Sequence, residues 1–226
     1  MKSFTSCALT AGLILCGCNQ VDATMENKIE QSKKMADSKD KKEITTLIRQ
    51  ALDWAESKEK INVTPVVQDK KGKFWISFNL AQHERNLLKL KGSSLFAAEF
   101  ISNYNQLVLT LDQQLKKGSY GPWQVGDRPS FNFASNDDPW CSCQDVPYDK
   151  PSPYNFIETE VVSLNGSKGE LNWKWGGLGP EYDPQPGYDP GWKKFRYRFR
   201  VVKESNQWKI AYLEGFDFKK GVRKNY

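Results

Sequence analysis

Residues 193–214 read KKFRYRFRVVKESNQWKIAYLE, and this stretch decides the fold. Aromatic and aliphatic side chains alternate with charged ones from 193 to 204, which is the two-residue period of a β-strand buried on one face. Ser205-Asn206 supplies a two-residue turn, and residues 207–214 continue as a second strand. The stretch therefore predicts an antiparallel β-hairpin.

Two further strands are predicted before this hairpin, at 155–164 (NFIETEVVSL) and 170–176 (ELNWKWG). Asn165-Gly166 lies between them and is a typical hairpin turn. Because each strand is followed directly by the next, the four strands are expected to form an antiparallel meander.

The earlier part of the chain has a helical period. Apolar residues recur every three or four positions in three segments: 43–59, 80–91 ending at Gly92, and one capped by Ser93 or Ser94 that ends at Gly118. A short hairpin of 63–67 with 74–79 is predicted between the first two helices, and 119–153 is predicted to be a loop. Helices followed by strands predict an α+β fold, with N-terminal helices packed on a curved antiparallel sheet.

Composition limits the partners of the chain. The formal charge is +6, which falls to +5 if a leader containing Lys2 is removed, and it arises from 33 basic against 27 acidic residues. This mixed, modest excess is not typical of a nucleic-acid-binding protein. No long apolar run follows residue 17, so no membrane-spanning segment is expected after it.

The first eighteen residues have the pattern of an export signal. Lys2 precedes an apolar run at 7–17, which ends in Leu15-Cys16-Gly17-Cys18. This pattern resembles a bacterial lipoprotein signal, and the resemblance implies cleavage before Cys18 and acylation of that cysteine. Asn19, rather than Asp, is compatible with sorting to the outer membrane, facing the periplasm. An ordinary cleaved signal with a chance cysteine is the alternative.

The expected organisation is a signal peptide at 1–17, a flexible tether at 18–42, partly helical at most, and a single α+β domain at 43–226. Residues 19–42 are rich in Lys, Asp, Glu and Ser and poor in large apolar side chains. Such a segment buries too little surface to repay the entropy of ordering.

Two cysteines follow the acylation site. Cys141 and Cys143 are expected to pair in an oxidising periplasm, and pairing with each other requires a tight turn. A disulfide to another protein or a reduced pair are the alternatives. One His and two Cys are too few for a zinc site, and the sequence has no phosphate-binding Gly loop and no dinucleotide fingerprint, so neither a metal nor another cofactor is expected.

The order of helices, loop and meander resembles the cone-shaped nuclear-transport-factor-2-like fold. More narrowly, Asp138-Pro139-Trp140, Gln144-Asp145 and Trp208-Lys209-Ile210, together with the lipid signal, resemble the YbjP/YqhG-type bacterial lipoproteins. The likeness covers residues 94–218. It implies a fold and an envelope location and no settled activity.

Asp138-Pro139-Trp140 is the first candidate binding element, at the expected mouth of the cone. In one interpretation Asp138 caps a turn and Trp140 plugs the end of the sheet. In the other, Trp140 lines a ligand pocket that the neighbouring loop closes.

Arg196, Arg198 and Arg200 are the second candidate, because alternation places them on one face of their strand. If that strand neighbours the one carrying Glu158 and Glu160, the arginines would form cross-strand ion pairs on an exposed face. If the arginine face lines the cavity instead, it would bind an anion such as phosphate or carboxylate.

The segment 177–192 repeats Tyr-Asp-Pro and is the third candidate. Tyr182, Tyr188 and Trp192 are aromatic anchors of the kind that dominate protein interfaces, and a solvated loop is the alternative.

Catalysis has little support. His83 is the one histidine, and no nucleophile motif accompanies it, so a surface histidine is expected. The sequence therefore favours a non-enzymatic envelope lipoprotein that binds a protein partner or a small ligand. The alternatives are a hydrolase or isomerase that uses a deep cone cavity, and an immunity or inhibitor protein.

Overall fold

The computed structural model describes residues 19–144, 152–176 and 194–224, with side chains from residue 38 onward. The chain divides into two units, Met1–Ser38 and Lys39–Tyr226. In the first unit the described residues are helical. Among the described residues, the second unit contains the rest of that helix, the remaining helices and strands, and the hydrophobic core.

Helix α1 spans Asn19–Glu56, so it begins well before residue 43, where the sequence predicted its start, and it includes most of the segment expected to be a tether. Residues 19–42 contain neither glycine nor proline and are rich in Lys, Glu, Gln, Ala and Met, which favour the helix. Lys39 and Glu43 add an ion pair one turn apart. The low apolar content of this segment therefore does not prevent helix formation.

The remaining helices and strands follow in chain order: β1 Val66–Gln68, β2 Phe74–Phe78, α2 Leu80–Gly92, α3 Ala98–Lys116, β3 Trp123–Gln124, β4 Ile157–Asn165, β5 Lys168–Trp175, β6 Tyr197–Glu204, β7 Gln207–Leu213 and α4 Phe218–Gly221. Short 3₁₀ turns occupy Pro153–Phe156 and Glu214–Phe216.

The larger sheet is an antiparallel meander in the order β4-β5-β6-β7, so the predicted α+β fold class is confirmed. Ser205 and Asn206 both have a positive φ, as a tight two-residue turn between β6 and β7 requires. Alternate side chains of β5, β6 and β7 are buried on the inner face of the sheet: Leu171, Trp173, Trp175, Tyr197, Phe199, Val201, Trp208, Ile210 and Leu213.

The smaller sheet has the order β1-β2-β3. The β1–β2 hairpin was predicted, whereas β3 lies in the segment predicted as a loop. Strand β3 has two residues, too few to show a period, and it forms because Trp123 and Gln124 pair with Trp75 and Phe74.

Helix α3 begins at Ala98, so the prediction that Ser93 or Ser94 caps it is wrong. The chain before it is extended along the open edge of β7. Ala97 N donates to Ile210 O at 2.8 Å, and Ile210 N donates to Leu95 O at 2.9 Å. These bonds satisfy backbone groups that the edge strand would otherwise leave unpaired, and they outweigh the local capping preference of serine.

The C-terminal part of α1 is fixed to the sheet by polar contacts. Thr45 Oγ1 lies 2.6 Å from Thr159 Oγ1 on β4, and Arg49 donates to the Ile157 carbonyl. Asp40 accepts from Lys203 on β6 at 2.9 Å and from Trp208 Nε1 on β7 at 3.0 Å. Burial acts to raise the pKa of Asp40, but these two hydrogen bonds, together with the positive charges of Lys203 and Lys39, outweigh it and lower the pKa below its ordinary value.

Candidate functional site

The Asp138-Pro139-Trp140 motif begins a tight turn that a disulfide closes. Cys141 and Cys143 are bonded to each other, with their Cα atoms 5.1 Å apart. Asp138 N donates to Cys143 O, and the amides of Cys141 and Ser142 donate to Asp138 O. Ser142 has a φ of +48°, so the backbone passes through the left-handed region at the centre of the turn.

Trp140 is a core residue, since only 4% of it is exposed. Its ring packs among four aromatic side chains of α1, α3 and the segments beside β7, at centroid distances of 4.7–6.2 Å: Phe216, Phe96, Trp54 and Phe100. The ring therefore gives little surface to a ligand and holds the turn against the core.

Tyr197 fixes the position of Pro139 by hydrogen bonding. Its hydroxyl donates to Pro139 O at 2.7 Å and accepts from Gly215 N at 3.0 Å. Tyr197 is 1% exposed, and burial raises the pKa of its hydroxyl well above the ordinary value, so the hydroxyl remains a proton donor. Gly215 lies so close that a Cβ there would be 2.7 Å from the Pro139 Cα. The close approach needs glycine.

A surface groove runs beside this turn, with a volume of about 670 Å³. We call it the Asp138 groove. One wall is formed by the last turn of α1 and the segment after it, and the other by the segment that leads into the turn. The first wall contains Ala55, Lys60, Ile61, Asn62, Val63 and Thr64, and the second contains Ala134, Ser135, Asn136, Asp137, Asp138, Pro139 and Trp140. Its polar groups are amides, hydroxyls, carboxylates and one ammonium.

Two smaller cavities lie next to the groove. One of about 150 Å³ shares Ala134, Ser135, Asn136, Asp137 and Pro139 with it. The other cavity, of about 280 Å³, shares Asn132, Ser142 and Gly215 with the 150 Å³ cavity. It extends to Arg196 and Lys220. The three cavities therefore surround one segment, residues 132–142.

The Asp138 carboxyl has a raised pKa. Burial of the carboxyl is the main cause, the Trp140 N–H bond to its Oδ1 at 3.0 Å opposes it, and the nearby Glu56 carboxylate adds to it. Glu56 in turn accepts from the buried Tyr154 hydroxyl at 3.3 Å. The residue Asp138 as a whole remains exposed, so the charge effect is screened by solvent.

The arginine face of the sheet points away from the core and carries ion pairs. Strands β4 and β6 are not neighbours, because β5 lies between them. Lys174 on β5 instead pairs with Glu160 at 2.7 Å, and Arg196 reaches the same carboxylate at 2.9 Å.

The other two arginines are also matched to carboxylates. Arg198 lies 3.8 Å from Glu170, Arg200 lies 3.1 Å from Glu99, and both guanidinium groups stack on Tyr212. Their positive charge is therefore balanced, which favours the ion-pair interpretation over an anion site lined by all three arginines.

His83 is buried at 2% exposure, so the expectation of a surface histidine is wrong. Its Nε2 lies 2.9 Å from Asn105 Oδ1, and its ring packs edge-on against Tyr104. Burial lowers its pKa, which favours the neutral ring. The residue lies on the face of α2 that packs on α3, and its spacing of three residues to Asn86 and seven to Leu90, which is helical, could have revealed this.

Four predicted site residues lie outside the described residues. They are Cys18, Tyr182, Tyr188 and Trp192.

The interior between helices and sheet is filled by aromatic rings in the described part of the chain. The largest fully buried side chains include Trp173, Tyr104, Tyr197, Phe100 and Phe133. The hydrolase or isomerase alternative predicts a deep pocket at this place, and the cavities described above are surface grooves instead.

Residues 19–144, 152–176 and 194–224 contain no cluster of three or more His, Cys, Asp or Glu side chains suited to a metal ion. Within these same ranges, no helix combines the length and apolar character needed to cross a membrane.

The sequence did not predict one wall of the Asp138 groove, nor the hydrogen bonds of Tyr197 that fix Pro139. Residues 60–64 carry no motif, and Tyr197 and Gly215 are distant from Asp138 in the sequence. The hydrogen bond from the buried Tyr197 hydroxyl to the Pro139 carbonyl joins residues that are distant in sequence, so no local sequence pattern predicts it.

No family model matches the chain, no curated protein matches its sequence, and no solved structure matches its fold.

Proposed function

We propose that this chain is a lipid-anchored protein of the cell envelope that binds an extended segment of another envelope protein along the Asp138 groove. The anchor is an acyl-modified Cys18 in the outer membrane, with the folded part in the periplasm. The lipoprotein-like tetrad Leu15-Cys16-Gly17-Cys18 supports the anchor, and Asn19 supports the outer membrane.

The observation that carries the binding proposal is the row of three neighbouring cavities around residues 132–142. A site for a small molecule is usually one cleft that encloses most of the ligand. Open, adjacent cavities fit an extended chain better, because successive residues of that chain can occupy them in turn.

The chemistry of the Asp138 groove supports the same partner. Asn62 and Asn136 offer amides, Thr64 offers a hydroxyl, and Asp137 and Asp138 offer carboxylate oxygens. Side chains of these types can hydrogen-bond the N–H and C=O groups of a peptide backbone. Mixed polarity is typical of interfaces between proteins that also exist apart.

Rigidity supports the proposal as well. The disulfide, the Tyr197 bridge and the packing of Trp140 each fix the segment before a partner arrives. A preorganised site loses less conformational entropy on binding, so more of the contact energy becomes affinity.

We also propose that the domain is a variant of the cone-shaped nuclear-transport-factor-2-like fold. The order of helices followed by an antiparallel meander, and the packing of α1 and α3 residues against aromatic side chains beside the sheet, support this likeness.

The binding proposal predicts a partner contact at Asp137. Replacing Asp137 by arginine adds bulk and inverts a charge inside the Asp138 groove, and Asp137 is exposed, so the fold should be retained. A photocrosslinker at Asn136, used in intact cells, should capture a defined envelope protein. Asp137→Arg should lower the yield of that adduct by about tenfold or more, as loss of an interface anchor does.

Asp127→Arg is the matched control, because Asp127 is an exposed aspartate outside the groove lining. It should leave the adduct and the melting temperature unchanged. The proposal fails if Asp137→Arg gives the same adduct yield as this control. It also fails if a crosslinker at exposed Leu88 on α2 captures the same protein equally well.

A further inference from the structure

A second surface lies at the smaller sheet. The turn between β1 and β2 carries Lys70, Lys71 and Lys73, and all three lysines are exposed. Asp69 begins the turn, and its Oδ1 accepts from the backbone amides of Lys73 at 2.7 Å and Phe74 at 3.2 Å. In the part of the chain that the structure describes, none of the three lysine side chains forms an ion pair.

An apolar groove of about 490 Å³ adjoins this turn. Its lining is mainly aromatic and aliphatic, and Asp69 and Lys116 are its charged members. The apolar lining residues are Phe74, Trp75, Ile76, Leu115, Pro122 and Trp123. The rings of Trp75 and Trp123 lie 5.8 Å apart, and Ile76 is 47% exposed. We call the three turn lysines together with this groove the hairpin patch.

We propose that the hairpin patch is a contact site for the surface of an anionic lipid bilayer. The lysines would lie at the lipid phosphates, the exposed Ile76 would insert at the level of the headgroups and upper acyl chains, and the aromatic groove would lie beside it at that depth. Lysines close to a negatively charged bilayer are attracted to it, and tryptophan is enriched at this depth because its ring is apolar with one polar N–H.

The combination of residues favours a bilayer over an acidic protein. The lysines alone would suit an acidic protein, whereas the lysines together with the exposed Ile76 and the aromatic groove suit a surface that is both anionic and apolar. A bilayer surface offers both within a few ångströms. The site does not use the Asp138 groove, and it does not require acylation, although a lipid anchor would raise its local concentration at a membrane.

The test uses the mature chain with Cys18→Ser, which retains all described residues and cannot carry a lipid. Sedimentation with vesicles of phosphatidylcholine plus phosphatidylglycerol should recover the protein, and vesicles of phosphatidylcholine alone should not. Substituting Lys70, Lys71 and Lys73 by glutamine should weaken binding by about 100-fold at low ionic strength. Lipids whose acyl chains are brominated near the headgroup should quench the tryptophan fluorescence of the Cys18→Ser chain that keeps all three lysines.

Matched variants separate the patch from general charge. Substituting glutamine for three exposed lysines elsewhere, Lys58, Lys91 and Lys219, removes the same net charge and should leave most of the binding intact. Ile76→Asn should weaken binding by about fivefold, and Leu88→Asn, at a residue that is 68% exposed on α2, should not. Equal binding to both vesicle types, equal effects of the two lysine sets, or an Ile76→Asn variant that behaves like Leu88→Asn would each overturn the proposal.

Discussion

Replacing Trp140 by alanine is expected to lower the free energy of unfolding by about 3–5 kcal/mol, the range measured for truncating a large buried aromatic side chain. Trp140 is 4% exposed and contacts four other aromatic rings, so its removal leaves a cavity between α1, α3 and the turn of residues 138–143. Urea denaturation followed by circular dichroism measures the change.

Trp140→Phe is the control for this prediction, because it keeps an aromatic ring at the same place and should cost much less. The midpoint of the denaturation curve should therefore fall in the order wild type, Trp140→Phe, Trp140→Ala. An alanine variant as stable as the wild type, with lost partner binding, would instead identify Trp140 as a ligand contact.

Replacing Gly215 by alanine is the second large effect. The new Cβ would lie 2.7 Å from the Cα and carbonyl carbon of Pro139 and would overlap the Pro139 carbonyl oxygen. Both partners are backbone, so one of them must move, and the bridge from Tyr197 to Pro139 O and Gly215 N is then disrupted. Overpacking and the loss of buried hydrogen bonds together should cost about 3 kcal/mol.

Gly166→Ala is the matched control, since a Cβ at Gly166 meets no atom within 4 Å. Gly215→Ala should lower the melting temperature and also reduce crosslinking from Asn136, because displacement of Pro139 deforms the Asp138 groove. If both alanine variants melt together with the wild type, the close approach of Gly215 to Pro139 is not a feature of the folded protein.

The larger sheet could be predicted from the sequence because each of its strands shows its own pattern. Alternation such as that of Tyr197, Phe199 and Val201 repeats over enough residues to be read locally. The core stripe of α3 is equally plain, from Phe100 to Leu115. Fold class followed from the order of these segments along the chain.

Features decided by contacts distant in sequence could not be predicted in this way. Helix α3 begins at Ala98 and is not capped by Ser93 or Ser94, because the segment Leu95–Ala97 forms hydrogen bonds with the edge of β7. Strand β3 exists only through its pairing with β2. In both cases long-range backbone hydrogen bonds decide the local conformation, and no residue in the segment itself indicates them.

The candidate site was predictable only in part. The Asp138-Pro139-Trp140 turn and the cysteine pair are visible as a motif, whereas the facing wall at residues 60–64 and the support from Tyr197 are not. The arginine face was visible as a pattern, but its partners depend on strand order, which placed Lys174 beside Glu160. A residue pattern shows which side chains share one face of a strand. It does not show which strands lie beside that strand in the sheet.

Intact mass spectrometry of the protein purified from its native membrane tests the central proposal, a lipid-anchored envelope protein, most directly. The account predicts a chain that begins at Cys18 and carries a diacylglyceryl group on its sulfur together with an acyl chain on its amino group, both absent after Cys18→Ala. An unacylated chain, or one that starts at another residue, would contradict it.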